Sequence, residues 1–370
     1  MKRLMIGAVA AACLAVSAQA EDLRVSPGVP SAHPAYSHGY AHLLKYLPEE
    51  SNGALTATLI GPEVVSLGQM KEALQAGVTQ VGLLLPLYFP ADFPYLSIPS
   101  EVALVGTSPD AMGAAMTEFV VTCEPCQKEL KAFGAVFLGS GSTDIYHLLT
   151  TKPVTSLEDL KGLRLRSGGA PWSRFAEAFG AVPVSMPVGE TFEAMSQGAI
   201  DGTATSYGDL LSFRLVEVTK DINTINLGTY HATSYFTVNG QTWAGLKPED
   251  RAALARAANR ANADTTLRWA HELTAAATAA AEKAGIKSID PPADMAEAVK
   301  AYAAKDAEAV ARLYAERDGI EEADAMVKRF LTLVDKWNGI VAETGPDAEA
   351  IAAKVQEEVW SKVDYSTYGL

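Results

Sequence analysis

The sequence predicts an α/β protein of about two domains, with mostly parallel sheets flanked by helices. Three observations carry this expectation. Between Leu23 and Leu85, short apolar runs alternate with helix-length segments in the order strand, helix, strand, helix, strand, the pattern of a sheet covered by helices on both faces. A second unit of the same kind begins near Ala135. The 370 residues are 48% hydrophobic, 20% charged and 8% aromatic, which supplies a large core and excludes global disorder. The formal charge of −14 repels polyanions at long range, so a nucleic-acid partner is not expected.

The chain opens with Lys2 and Arg3, an apolar run from Leu4 to Val16, and Ala18-Gln19-Ala20 before Glu21. This is the pattern of a secretory signal peptide over 1–20, cleaved after Ala20 into the periplasm. The apolar run is too short to span a membrane, and no later stretch reaches the required length. Cys13 has Ala10 three residues before it, where a lipoprotein signal would have leucine, so lipid anchoring is not expected.

A strand at Leu23–Val25 leads through a loop containing Pro and His, Ser26–Pro34, into a helix over Ala35–Glu50, which Ser51-Asn52-Gly53 ends. A strand at Leu55–Ile60, a helix over Ser66–Ala76 stopped by Gly77, and the apolar run Gln80–Leu85 complete the first unit. In the second unit, strands are expected at Ala135–Gly139 and Asp144–Thr150, then a helical turn at Ser156–Leu160 with Ser156 and Asp159 in capping-box positions. Gly162–Arg166 alternates, so Arg164 and Arg166 leave one face of a strand and Leu163 and Leu165 the other. Arg166 opens onto the loop Ser167–Trp172. A helix (Ser173–Phe179), a strand (Val182–Ser185), a helix (Glu190–Gln197) and a strand end at Thr203–Tyr207 follow. Pro248 then starts an unbroken helical pattern to Ala284, roughly 54 Å at about 1.5 Å per residue, long enough to lie across two lobes. Amphipathic helices fill Ala293–Ala342 and Ala348–Val363.

Cys123-Glu-Pro-Cys126 lies in a stretch that reads as helical on both sides, Pro109–Phe133, rather than at a strand-to-helix junction. A local structural disulfide is therefore expected over a redox pair. His38 and His42 share a helix face, but spacing supplies no third ligand, so no metal is expected, and no cofactor. The sequence contains no Gly-x-Ser-x-Gly elbow, no His-Glu-x-x-His and no Walker loop, and an enzyme is not expected.

Pro153, Leu157–Arg166, Phe179–Val184, Glu190, Ala194, Gln197-Gly198 and Ile200-Asp201-Gly202 together resemble the DctP-type solute-binding proteins of tripartite ATP-independent periplasmic (TRAP) transporters. Gly53, Leu67-Gly68, Ala73-Leu74 and Gly77, then Asn239, Trp243, Leu246 and Pro248-Glu249-Asp250, extend the resemblance from Leu23 to about Tyr314. It implies a two-lobed, type II-like periplasmic-binding-protein fold, monomeric, closing on a small organic acid and delivering it to membrane permease subunits. The divisions expected are 21–145 mainly lobe 1, 146–240 mainly lobe 2, 241–290 the lobe-spanning helix, and 291–370 helices packed on the lobes. A receptor of the same fold for an ATP-driven importer or a sensor kinase, and an exported enzyme on such a scaffold, are the alternatives.

In the family, the arginine ending the Leu-Lys-Gly-x-x-x-Arg segment pairs with the ligand carboxylate, and that position is Arg166. A guanidinium meets both carboxylate oxygens at once. Some members carry a second arginine about twenty residues earlier, where this chain has Tyr146. Other pocket positions fall on Trp172, Val188 and Thr205, with Tyr207 nearby and Gly169 in the loop after Arg166. These residue types suit a monocarboxylate with an apolar or aromatic body. Loop position adds His33, Tyr36, Tyr88, Tyr230, His231 and Tyr235, because ligands of open α/β sheets lie outside the carboxyl ends of strands. Glu190 is read as a helix-capping residue.

Overall fold

Two mixed sheets, each flanked by helices, make up the two lobes of the computed structural model, which describes residues 20–370. The expected signal peptide, with Cys13, lies outside the described residues apart from Ala20. The first sheet has the order β2-β1-β3-β10-β4, with β1 at Glu21–Ser26, β2 at Leu55–Leu59, β3 at Val81–Leu84, β4 at Ala135–Phe137 and β10 at Ser234–Asn239. The second has the order β11-β9-β5-β8-β6-β7, with β5 at Tyr146–Thr150, β6 at Arg164–Ser167, β7 at Val182–Ser185, β8 at Gly202–Ser206, β9 at Asp221–Asn223 and β11 at Lys287–Ile289.

Most parallel pairs come from strand-helix-strand units, β1 with β2 and β3 and β6 with β7 and β8, and β11 pairs in parallel with β9 after the long helix. The antiparallel pairs sit where the chain changes lobe. β4 leaves the first sheet and β10 returns to it, so these two run in opposite directions; β5 enters the second sheet and β9 leaves it, with the same result. Residues 234–239, in the stretch expected mainly in the second lobe, belong to the first sheet for this reason. Pattern reading does not find β9, β10 or β11, because two are only three residues long and β10 is buried on both faces.

The crossing segments are hydrogen-bonded to each other. Thr143 N donates to Tyr230 O (3.1 Å), Tyr146 N to Gly228 O (2.8 Å) and Leu227 N to Tyr146 O (3.0 Å). Among their buried hydroxyls, Ser140 Oγ meets Thr233 Oγ1 at 2.7 Å. The long helical pattern forms a third connection, with α-helix at Pro248–Leu267, a π-helical turn at Arg268–Leu273 and α-helix at Thr274–Lys283. It begins just beyond β10 of one sheet and ends before β11 of the other, so it spans both lobes as expected. Its first part packs on the helices at Ala41–Glu50 and Ala348–Glu358, and its last part on Asp209–Ser212 of the second lobe.

The C-terminal stretch divides into helices at Ala293–Asp318, Ala323–Thr344 and Ala348–Glu358, because Gly319 takes a left-handed φ of 70° that stops the first. Trp243, Trp337 and Trp360 are fully buried, and the Trp243 and Trp337 indole N–H groups bond Tyr368 O and Glu118 Oε2, each at 2.7 Å. The stretch Pro109–Phe133 is broken into helices at Pro109–Val121 and Glu124–Phe133. Cys123 caps the second of these, accepting from Cys126 N at 3.1 Å, and is disulfide-bonded to Cys126. Among the described residues no helix is long and apolar enough to cross a membrane.

Close backbone contact makes some glycines irreplaceable. At Gly228 in the crossing segment, φ is +72° and an added Cβ would lie 1.9 Å from Ala103 O; at Gly53, φ is +79° with nothing within 4 Å. Gly228→Ala is expected to lower stability by about 2–4 kcal/mol, combining left-handed strain and overpacking, and Gly53→Ala by only about 1–2 kcal/mol. Denaturant midpoints of the two variants test this, and equal losses would contradict it.

Candidate functional site

The site forms where strand ends of both lobes meet. Arg166 is next to last in β6, paired with Val184 of β7. Strand alternation puts Arg164 on the same face, but the two arginines part company. Arg164 is half-exposed and bonded to Asp201 through Nε (3.0 Å) and Nη2 (3.2 Å), so its role is structural. Its contacts, with a backbone N–H as a further donor, hold the Asp201 carboxyl down at about 2.

Arg166 is 1% exposed. Its Nε donates to Met186 O and its Nη2 to the Tyr88 hydroxyl, both at 3.0 Å, and among the described residues it has no carboxylate within ion-pair distance. The Tyr88 hydroxyl also accepts from Val188 N at 3.1 Å. Tyr88 ends a helical turn at Pro86–Tyr88 just beyond β3 of the first lobe, so this contact ties the lobes together at the guanidinium. The loop after β6 is shorter than expected, since a helix starts at Ala170 with Pro171 in its first turn. A Cβ at Gly168 would stand 3.2 Å from both terminal guanidinium nitrogens, and one at Gly169 would stand 2.8 Å from Leu87 Cδ1. Glycine at these positions lets the arginine lie against backbone and lets the first lobe approach.

Beside this contact is a cavity of about 30 Å3, lined from the first lobe by Val29, His33, Leu67, Leu83, Leu85, Tyr88 and Tyr235, from the crossings by Thr143, Tyr230 and Thr233, and elsewhere by Tyr146, Val188, Asp209, Phe213 and Trp269. His33 is buried, and its Nδ1 accepts from Ala35 N at 3.1 Å, which puts the proton on Nε2. Burial pushes its pKa down to about 3, so it is neutral, held edge-on to Trp269 with ring centroids 4.3 Å apart. The Trp269 indole N–H reaches across to Ser206 Oγ at 2.9 Å.

Tyr146, Trp172 and Tyr230 form an aromatic stack: Trp172 lies parallel to Tyr230 at 5.3 Å and tilted against Tyr146 at 4.9 Å. Burial raises both tyrosine pKa values well above the ordinary range, so the rings remain neutral phenols. Trp172 does not line the cavity. It backs the two tyrosines, with its N–H given to Leu227 O at 3.0 Å. Thr205 stands one residue removed as well, donating its hydroxyl to Asp209 Oδ2. Tyr207 lies outside the cavity, bonded to Ser288 Oγ at 3.2 Å and edge-on to His147, because it points from the far side of the β8 end. His231 also points elsewhere, its Nε2–H donating to Pro99 O at 3.1 Å and its ring stacking on Phe330. Glu190 is exposed and makes no capping bond with its side chain, which corrects the expected capping role.

Asp209 was not singled out in the sequence, although Thr205-Ser-Tyr-Gly-Asp209 follows the carboxyl end of β8, where ligands of such sheets lie. It is buried; Oδ2 is held by Thr205, and Oδ1 has no partner. Burial raises its pKa to about 6, against which the Thr205 hydroxyl and the Arg166 charge pull downward. The Tyr230 and Tyr235 hydroxyls are buried without partners too. Arg174, also not flagged, bonds Asp306 (2.7 Å) and Glu101, joining the helix after Arg166 to the segment Ile98–Val105 and the helix Ala293–Asp318. Among the described residues no cluster of three or more His, Cys, Asp or Glu could hold a metal, and His42 instead meets Asp264 Oδ2 at 2.7 Å.

With its folded pKa near 6 and an unfolded value near 3.9, Asp209 holds a proton in the folded state that the unfolded chain has lost. That group therefore costs stability progressively as pH rises from about 4 through 6. Asp209→Asn is expected to exceed the unliganded wild type by about 2–3 kcal/mol at pH 7.5, with the difference vanishing near pH 4. Denaturant titrations at both pH values test this, and a pH-independent difference would refute the assignment.

The family model described as bacterial extracellular solute-binding protein, family 7 (DctP) matches residues 26–314. A marine-metagenome TRAP solute-binding protein specific for aromatic acid ligands is similar in structure, with a TM-score of 0.76 at 22% identity over 86% of this chain and 99% of that one. A TRAP solute-binding protein from Rhodoferax ferrireducens T118, in complex with copurified benzoate, matches at TM-score 0.76 and 20% identity over 86% and 99%. At these identities the likeness shows the two-lobed fold. Among curated relatives, a solute-binding protein of Albidiferax ferrireducens is 40% identical over 79 residues, 21% of this chain, and the match spans only 23% of that relative's length. The C4-dicarboxylate-binding periplasmic protein DctP of Rhodobacter capsulatus is 28% identical over 130 residues, 35% of this chain and 38% of that protein.

Proposed function

The chain belongs to bacterial extracellular solute-binding protein family 7, and on that premise we propose that it is a periplasmic receptor that captures a small organic monocarboxylate between its lobes and delivers it to the membrane permease of a TRAP transporter. Membership makes it a binding protein rather than an enzyme. The observation that carries the ligand class is Arg166, a fully buried guanidinium at the seam between lobes whose side-chain bonds go only to neutral oxygens. A buried charge without a counter-charge is costly, and a ligand carboxylate supplies that counter-charge with two parallel hydrogen bonds. Tyr88, now bonded to the guanidinium, would then turn its own hydroxyl proton toward the carboxylate.

Tyr146 stands where some family members carry a second arginine, so one anionic group rather than two is the better match. The rings of His33, Tyr146, Tyr230, Phe213 and Trp269 around the cavity favour an apolar or aromatic body. The aromatic acids and benzoate described with structures of similar fold accord with this. The cavity of about 30 Å3 is far below the roughly 150 Å3 in which benzene is held, so a ligand enters only when the lobes part. The crossing segments 138–145 and 227–233 and the long helix are the hinge in this reading, and the receptor acts as a monomer.

A thermal-shift screen of unliganded protein against mono- and dicarboxylates tests the proposal. A monocarboxylate at 100 times its dissociation constant should stabilise the wild type by about 2.7 kcal/mol. Arg166→Ala should weaken the same ligand about 100-fold or more. A variant that binds the acid as tightly as wild type would remove Arg166 from the site. In solution scattering, saturation with that acid should compact the protein, and an unchanged radius of gyration would exclude lobe closure.

A further inference from the structure

Arg166 accounts for one end of the ligand, but three buried polar atoms on the cavity are left over. Asp209 Oδ1, the Tyr230 hydroxyl and the Tyr235 hydroxyl are each buried without a hydrogen-bond partner, and all three residues line the same cavity. Buried polar groups are ordinarily paired, and three of the unpartnered atoms among the described residues belong to residues lining this one cavity, which points to a group that completes them. Asp209 itself is fixed rather than adaptable, since its other oxygen is taken by Thr205 Oγ1 and the residue is 1% exposed.

The chemistry of the three atoms restricts what that group is. An ionised carboxylate only accepts, whereas a phenol both donates and accepts. A ligand carbonyl could accept from a tyrosine but would face Asp209 Oδ1 as a second acceptor. An ammonium could donate to Asp209 but would leave the tyrosine protons without an acceptor. A ligand hydroxyl does both, giving its proton to Asp209 Oδ1 and accepting from Tyr230 or Tyr235. We propose that Asp209, Tyr230 and Tyr235 form a second pole of the site that reads a hydroxyl on the ligand, so that the solute is a hydroxylated monocarboxylic acid. This rests on the pairing of its carboxylate with Arg166.

Calorimetric titration of unliganded protein with two matched pairs, 3-hydroxybenzoate against benzoate and mandelate against phenylacetate, tests the inference. In at least one pair the hydroxylated acid should bind about tenfold or more tightly than its partner, because the analogue lacking the hydroxyl leaves the buried groups unpaired. Asp209→Ala should reduce that preference to less than about threefold. Asp209→Asn, which keeps the shape and packing, serves where the alanine variant does not fold, and should reduce the preference in the same direction. Tyr235→Phe should lower it further only if that hydroxyl donates. Equal affinities within both pairs in the wild type, or a preference that survives both Asp209 variants, would overturn the proposal with the Arg166 reading intact. Failure of all four acids to bind, or binding indifferent to Arg166→Ala, would instead overturn the reading on which it rests.

Discussion

The burial of the Arg166 guanidinium at the meeting of the two lobes is the constraint around which the rest of the site is arranged. A charge cannot be taken out of water without compensation, and here its hydrogen bonds go to a carbonyl and a phenol while it lies against the backbone at Gly168. Each of these places a demand on the sequence. Met186 must present its carbonyl beyond β7, Gly168 must lack a side chain, and Tyr88 must arrive from the other lobe. The lobe contact and the proposed anion site are therefore one structure. A ligand carboxylate that bonds Arg166 changes the balance that holds the lobes together.

Asp209 is the opposite pole. It is as buried as Arg166, and its charge is felt there, yet the two do not form an ion pair. Asp209 lines the cavity and Arg166 lies beside it, and the lack of a direct pair leaves each open to a ligand, where a direct pair would satisfy both. The unliganded protein bears this strain in the raised pKa of Asp209 and the unpartnered phenols beside it. Such residues lower stability in isolation and acquire their purpose from the molecule that completes them.

The connections between the lobes also reach the cavity. Tyr146 opens β5 just after the first crossing segment and Tyr230 lies on the second, the two stretches are bonded to each other through their backbones, and Trp172 stacks on both rings from the helix that follows Arg166. The π-helical turn at Arg268–Leu273 brings Trp269 to the cavity from the long helix, with contacts to His33 of one lobe and Ser206 of the other. Movement of either lobe thus alters the walls of the cavity, and filling the cavity bears directly on the connections between lobes. Partly buried Arg174, with the buried carboxylates of Glu101 and Asp306, holds the Arg166 helix to its surroundings away from the ligand space.

Local pattern made much of this legible. Alternating strand and helix signals, the spacing Leu-Lys-Gly-x-x-x-Arg ending at Arg166, and the helical run from Pro248 are properties of neighbouring residues, and neighbours are what a sequence records. His33, Tyr88, Tyr230 and Tyr235 were named from loop position, since parallel strands direct their carboxyl ends to one side, and Tyr146 from the family resemblance. Trp172 and Tyr207 show the limit, because placing a residue near a strand end does not say which way its side chain turns. Asp209 and the link from Tyr88 to Arg166 were beyond sequence reasoning, as they depend on how residues 78 positions apart meet across two lobes. The sequence by itself determined the strand and helix alternation, the family and the place of Arg166 near the end of its strand. Tertiary structure alone decided which polar atoms are left unpaired, because hydrogen-bond satisfaction and burial are properties of surroundings assembled from the whole chain.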